Sequence, residues 1–129
     1  MKLEHLAIWT ADLEGLKDFY VKYFHMNCSS KYENKSKRFT SYFLSFPGAE
    51  SRIEIMHRPD ISAFTEEKGG QNGLCHFSIS AGGKNRVDEL TELLRGDGYK
   101  IAGEPRTTGD GYYESVVLDP EGNHVEITE

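Results

Sequence analysis

The chain repeats its own pattern, and a repeat of this length restricts it to folds built from two equivalent halves. His5-Leu6-Ala7-Ile8 returns 71 positions later as His76-Phe77-Ser78-Ile79, and Ile53-Glu54-Ile55 returns 72 positions later as Val125-Glu126-Ile127. Phe46-Pro47 and Asp119-Pro120 fall between these anchors at a similar spacing. Self-similarity at a fixed period marks a duplicated supersecondary unit. A half of roughly 60 residues buries too little apolar surface to stand alone, so two must pack together. The 129 residues then make one domain, composed of a module at 1–57, a linker at 58–72 and a second module at 73–129.

Each half reads strand, helix, then three strands. Residues 3–10 alternate, with Leu6 and Ile8 on one side and His5 and Ala7 on the other, which predicts a strand. Asp12 has the chemistry of a helix N-cap. After it Leu16, Phe19, Tyr20, Tyr23 and Phe24 recur at threes and fours as a helical stripe ending near Asn27. A polar stretch at 28–37 leads to strands at 38–46 and 51–57 around a Pro47-Gly48 turn. In the second half a strand at 73–80 precedes a helix from about Asn85, with Val87, Leu90, Leu93 and Leu94 as its stripe and Gly96 and Gly98 as its stop. Strands near 99–104, 112–118 and 123–128 follow, the last two joined by an Asp119-Pro120-Glu121-Gly122 turn.

The charge balance narrows the function. Fifteen basic against 21 acidic residues leave a formal net charge of -6. That argues against nucleic acid and against anionic lipid, both of which call for a basic face. No apolar run approaches the roughly 18 residues of a membrane span, and residues 1–5 do not read as a signal peptide. Cys28 and Cys75 are too few for a disulfide framework and fit a reducing, cytoplasmic setting.

Strand parity makes the repeat chemically informative, because side chains alternate between the faces of a sheet. If Leu6, Ile8, Ile53, Ile55, Phe77, Ile79, Val125 and Ile127 pack against the helices, His5, Glu54, His76 and Glu126 share the opposite face, with His124 beside Glu126 and with Arg52 and Met56 beside Glu54. Cys75 falls on the buried parity. A single Glu on such a face is ordinarily a solvated carboxylate, and a lone His is ordinarily structural. Repetition at matched places is what points to a ligand set, and imidazole nitrogen with carboxylate oxygen suits Zn, Ni, Co, Fe or Mn as divalent ions. Trp9 and Met56, with Phe39 and Phe43, are candidates for apolar walls of a small-molecule site. The Gly-rich segment 106–113, which ends in Tyr112 and Tyr113, reads either as a lid that brings Tyr113 to substrate or as a surface turn.

Four segments together resemble the vicinal oxygen chelate superfamily, which includes glyoxalase I, bleomycin-resistance proteins and extradiol dioxygenases. They are Glu4-His5-Leu6-Ala7-Ile8, Arg52-Ile53-Glu54-Ile55, Cys75-His76-Phe77-Ser78-Ile79 and Leu118 to Ile127. The resemblance implies an α+β fold in which two βαβββ modules form an incomplete eight-stranded barrel around one divalent metal ion. It implies metal ligands at His5, Glu54, His76 and Glu126, the full glyoxalase I set. It further implies proton transfer by Glu126 or Glu54 through a metal-stabilised enediolate, with Glu126 favoured by analogy as the base. The substrate would be a small α-oxo compound or a thiol adduct of one. Nickel, zinc or cobalt would suit this activity, while iron or manganese would suit an oxygenase or thiol transferase on the same scaffold. A metal-free drug-binding protein is the other alternative, and the retained four ligands argue against it. Where glyoxalase I carries Arg four residues after the first His, this chain has Trp9, which leaves Arg52 and Arg58 as candidate cations for substrate. Such modules usually pair in a homodimer, so the site forms either within one chain or across two.

Overall fold

The alternation along each predicted strand and the three-four spacing along each predicted helix are realised in a computed structural model, which describes residues 1–62, 68–70 and 72–129. The chain divides into two compact units, Met1–Thr65 and Glu66–Glu129. The fold is α+β, with one helix and one open mixed sheet in each unit.

Unit 1 begins with β1 (His5–Trp9) and α1 (Leu13–Phe24), continues through the short β2 (Asn27–Cys28) and β3 (Tyr32–Asn34), and ends with β4 (Phe39–Ser45) and β5 (Arg52–His57). Its sheet runs β1-β5-β4-β2, with β3 also paired to β4. Asp12 caps α1 by accepting a 2.9 Å hydrogen bond from the Gly15 amide, which satisfies one of the free donors of the first turn. His25 ends the helix in the left-handed conformation at φ 54°, which histidine adopts more readily than most residues. Leu16 and Tyr20 are fully buried and Phe19 almost so, opposite Leu44, Ile53 and Ile55. Each such side chain contributes about 1.5–3 kcal/mol of burial free energy.

Unit 2 contains β6 (His76–Ser80), α2 (Lys84–Gly96), β7 (Ile101–Thr107), β8 (Tyr113–Leu118) and β9 (His124–Thr128), with the sheet ordered β6-β9-β8-β7. Val87, Thr91 and Leu94 form the buried stripe of α2, against Val117, Val125 and Ile127. In both units the first strand pairs in parallel with the last: Ala7 stands opposite Glu54, and Ser78 opposite Glu126. The residue two places after the histidine therefore faces the glutamate in each unit, and the duplication is visible in the register itself.

The structure amends several expectations. Among the described residues there are nine strands rather than eight, because the polar segment 28–37 is partly recruited to the β4 edge as β2 and β3. Backbone hydrogen bonding to an existing edge does not need an apolar pattern. Leu93 is 52% exposed, and Thr91 takes its place in the core, since positions 87, 90, 91 and 94 share one face at 3.6 residues per turn and 93 lies off it. Cys75 is exposed and precedes β6. Its thiol donates to the Gly69 carbonyl at 3.3 Å instead of packing beneath the sheet. The segment 106–113 is a hairpin between β7 and β8, pinned where Thr108 Oγ1 accepts from the Tyr112 amide. Part of the 58–72 linker, including the acidic pair Glu66-Glu67, lies outside the described residues.

Candidate metal centre

The alternation that sends Ile53, Ile55, Val125 and Ile127 into the cores leaves the intervening side chains on the face away from the helix. In unit 1 this places His5 on β1 diagonal to Glu54 on β5, within reach of a long side chain. His5 Nε2 lies 3.9 Å from Glu54 Oε2. Unit 2 repeats the arrangement, with His76 Nε2 3.4 Å from Glu126 Oε2. In both pairs the carboxylate is the deeper member: Glu54 and Glu126 side chains are 16% and 14% exposed, against 40% and 46% for His5 and His76.

The 3.4 Å separation of His76 and Glu126 fits a shared cation, and the 3.9 Å separation of His5 and Glu54 is about half an ångström wider than that geometry. Two donors each about 2.1 Å from one ion stand roughly 3.0 Å apart at a right angle and about 3.4 Å apart at the tetrahedral angle. The donor types fit as well, since one neutral nitrogen and one anionic oxygen suit a divalent transition ion. Among the described residues no group of three or more His, Cys, Asp or Glu is gathered closely enough to hold a metal. Each pair alone supplies two donors, fewer than the three or four protein ligands such ions take.

Two acidic residues to which the sequence reading gave no role stand beside these pairs. Glu4 bonds His5 Nδ1 through one carboxylate oxygen and the Arg52 guanidinium through the other. Those two bonds, first to His5 and then to Arg52, hold its carboxyl below the usual carboxylate range. Glu114 is buried on β8, on the same face as Glu126, and accepts from Arg106 at 3.2 Å. Burial pushes the Glu114 carboxyl up, and the neighbouring Glu126 raises it further by repulsion and a shared hydrogen bond. The signal for Glu114 was available in its parity with Val116 on the strand at 112–118. For Glu4, strand alternation is a poor guide, because it lies just before β1 begins.

The expected substrate contacts divide into two groups. Trp9 and Met56 are opposite partners in the β1–β5 register and share the face of Glu54. Phe39 meets the Trp9 ring edge-on at 6.0 Å. The Arg58 guanidinium lies 5.9 Å from the Trp9 ring centroid and is hydrogen-bonded to Asp60. Ser41, opposite Met56 on the same face, is 1% exposed, and among the described residues its hydroxyl has no hydrogen-bond partner. Arg52 is taken up by Glu4 and by the Phe43 ring, 4.0 Å beneath its guanidinium. Tyr113 is directed elsewhere, because alternation along β8 turns it toward α2, where its hydroxyl donates to Asp88 at 2.7 Å. His124 stands against the Gly69 backbone, and His57 Nδ1 reaches the Thr10 carbonyl at 3.0 Å.

Comparison with known proteins bears on the whole chain. The family model of the Glyoxalase/Bleomycin resistance protein/Dioxygenase superfamily matches residues 2–127. The uncharacterized protein YqjT of Bacillus subtilis (strain 168) is 24% identical over 128 residues, covering 97% of this chain and 96% of its own. Among solved structures, glyoxalase I from Zea mays has a TM-score of 0.81 at 24% identity over 98% of this chain, which spans 44% of the maize chain. The trypanothione-dependent glyoxalase I of Leishmania major has a TM-score of 0.80 at 20% identity, covering 100% of this chain and 86% of the other. At such identities the structural likeness speaks for the fold. The family match runs across both repeats and all four of the His and Glu positions that the register brings into pairs, and the chain belongs to the glyoxalase/bleomycin resistance protein/dioxygenase superfamily.

Proposed function

We propose that the chain is a metal-dependent lyase of the glyoxalase I type, acting on a small α-oxo compound or its thiol hemiacetal, with His5, Glu54, His76 and Glu126 as ligands of a divalent ion. The observation that carries this reading is the duplicated His–Glu pair, at 3.9 Å in unit 1 and 3.4 Å in unit 2. Nickel, zinc or cobalt is the expected occupant, with iron or manganese the mark of an oxygenase. The ion would supply Lewis-acid stabilisation of negative charge on adjacent substrate oxygens.

The protein's own groups account for the remaining steps. His5 and His76 act as neutral nitrogen donors. Glu126 removes a proton from the substrate carbon and returns it to the neighbouring one, a transfer that a half-covered carboxylate on a rigid strand is well placed to make. Glu54 is the matching acid of the first unit and the alternative base. Trp9 and Met56 supply apolar contact for the substrate. Arg58, whose guanidinium lies 5.9 Å from the Trp9 ring centroid, takes the anionic end of a thiol cosubstrate. The working form is a homodimer in the cytoplasm. Among the described residues no helix is long and apolar enough to cross a membrane.

A panel assay tests the activity. Methylglyoxal is mixed with glutathione and with other low-molecular-weight thiols, with nickel, zinc, cobalt or manganese added in turn. Enzyme-dependent consumption of the hemithioacetal with at least one thiol and metal is expected, and is lost in Glu126→Gln. Consumption no faster than the uncatalysed reaction across the panel contradicts the lyase reading.

A further inference from the structure

The two histidines sit in unequal surroundings. In unit 1 four side chains form a closed ring: His5 Nδ1 meets the Glu4 carboxylate, Glu4 accepts from Arg52, and Arg52 lies 4.0 Å over the Phe43 ring. Phe43 completes the ring by meeting the His5 imidazole edge-on at 5.6 Å. The backbone fixes the same group, since the Arg52 amide donates to the Glu4 carbonyl at 3.0 Å and Ser51 Oγ donates to the Leu3 carbonyl at 2.7 Å. His5 and Arg52 are opposite partners in the parallel register. In unit 2 the place of Glu4 is taken by Cys75, whose thiol donates to Gly69, and the partner of His76 is His124 instead of an arginine.

We propose that Glu4, held by Arg52, is a positioning residue that fixes the hydrogen of His5 on Nδ1 and keeps the Nε2 lone pair directed toward Glu54 as a metal donor. A carboxylate can only accept, so the imidazole nitrogen facing it must be the donor. The other nitrogen is then free to bind a cation. A neutral imidazole left to water prefers its hydrogen on Nε2, the tautomer that would block coordination through that atom. Glu4 reverses the preference before any ion arrives. Outer partners of this kind orient a ligand and raise its basicity, and removing one typically weakens metal binding about 10–100-fold. His76 has no comparable carboxylate in its Glu4 position, so the His5–Glu54 pair is the preset half of the donor set. The functional consequence rests on the metal reading above, whereas the tautomer itself does not.

The experiment has two independent readouts. Long-range nitrogen–proton correlation spectra of metal-free, nitrogen-15-labelled protein at about pH 9, well above the usual histidine pKa of about 6.5, report which nitrogen of each imidazole carries hydrogen. Wild type is expected to show His5 protonated on Nδ1. Glu4→Ala moves it to Nε2, and so does Glu4→Gln, whose one amide oxygen is taken by the donor-only Arg52 so that its NH2 faces Nδ1. The His76 signals should be unchanged in all three, which serves as the check that the variants are folded. Zinc affinity, measured by competition with a chromophoric chelator, should fall about 10–100-fold in Glu4→Ala and likewise in Glu4→Gln. An unchanged His5 tautomer in Glu4→Ala overturns the proposal, as does a changed tautomer with unchanged zinc affinity. Failure of the wild type to bind zinc, nickel or cobalt would instead strike the metal reading and leave the tautomer result to stand.

Discussion

Glu14 shows how a single surface side chain can tie a helix to its sheet. Its carboxylate accepts from Lys17 at 2.7 Å, from Lys31 at 3.0 Å and from the Tyr42 hydroxyl at 3.0 Å. The lysine bonds hold its pKa down to about 2. A carboxyl whose folded pKa is depressed stabilises the fold above its unfolded value, and that stabilisation is lost as the pH falls from about 4.5 toward 2. Glu14→Gln should therefore lower the melting temperature near neutral pH, by the equivalent of no more than about 1 kcal/mol because the pair is half exposed and screened. The gap from wild type should narrow steadily between pH 5 and pH 2 in thermal scans. A buried contact behaves differently. Thr91 Oγ1 meets Ser115 Oγ at 2.6 Å and donates to the Val87 carbonyl at the same distance, with both side chains fully buried. Thr91→Val keeps the volume but strands the Ser115 hydroxyl, and should cost about 1–3 kcal/mol in urea unfolding. The double variant with Ser115→Ala should recover part of that loss, the sign of direct coupling.

Secondary-structure elements were legible in the sequence wherever one periodic pattern decided them. Leu16, Phe19, Tyr20, Tyr23 and Phe24 gave the face of α1, and Asp12 gave its start. Asp12→Ala should remove the cap and destabilise the protein by about 1 kcal/mol, measurable as a lower urea midpoint with an unchanged slope. The sequence was silent where a backbone edge decided the outcome, as with β2 and β3. It misled where composition and geometry disagreed: Leu93 is the more apolar residue, but Thr91 has the phase that faces the sheet. The same divide runs through the site. His5, Glu54, His76 and Glu126 are visible from parity because strands alternate. Glu4, Glu114 and the Asp88 contact of Tyr113 depend on side-chain reach, and no pattern of residue types encodes that.

At the scale of the whole molecule, duplication turns weak local signals into a strong one. One histidine diagonal to one glutamate is an ordinary feature of a half-exposed sheet. Two such pairs, each placed by a parallel pairing of first strand with last and each bearing the glutamate two places out of register from the histidine, are the trace of a duplicated module. Superfamily membership is consistent with that history and extends over residues 2–127. A homodimer is expected in solution, and multi-angle light scattering giving a monomer mass across a wide concentration range would contradict it. The central claim is that both pairs bind metal, and titration calorimetry of chelator-stripped protein with nickel or zinc tests it most directly. Wild type should bind a stoichiometric ion, with binding abolished or severely weakened in His5→Ala and equally in Glu126→Ala, although the two residues belong to different repeats. Binding as tight in either variant as in wild type, or no binding by the wild type, would contradict it.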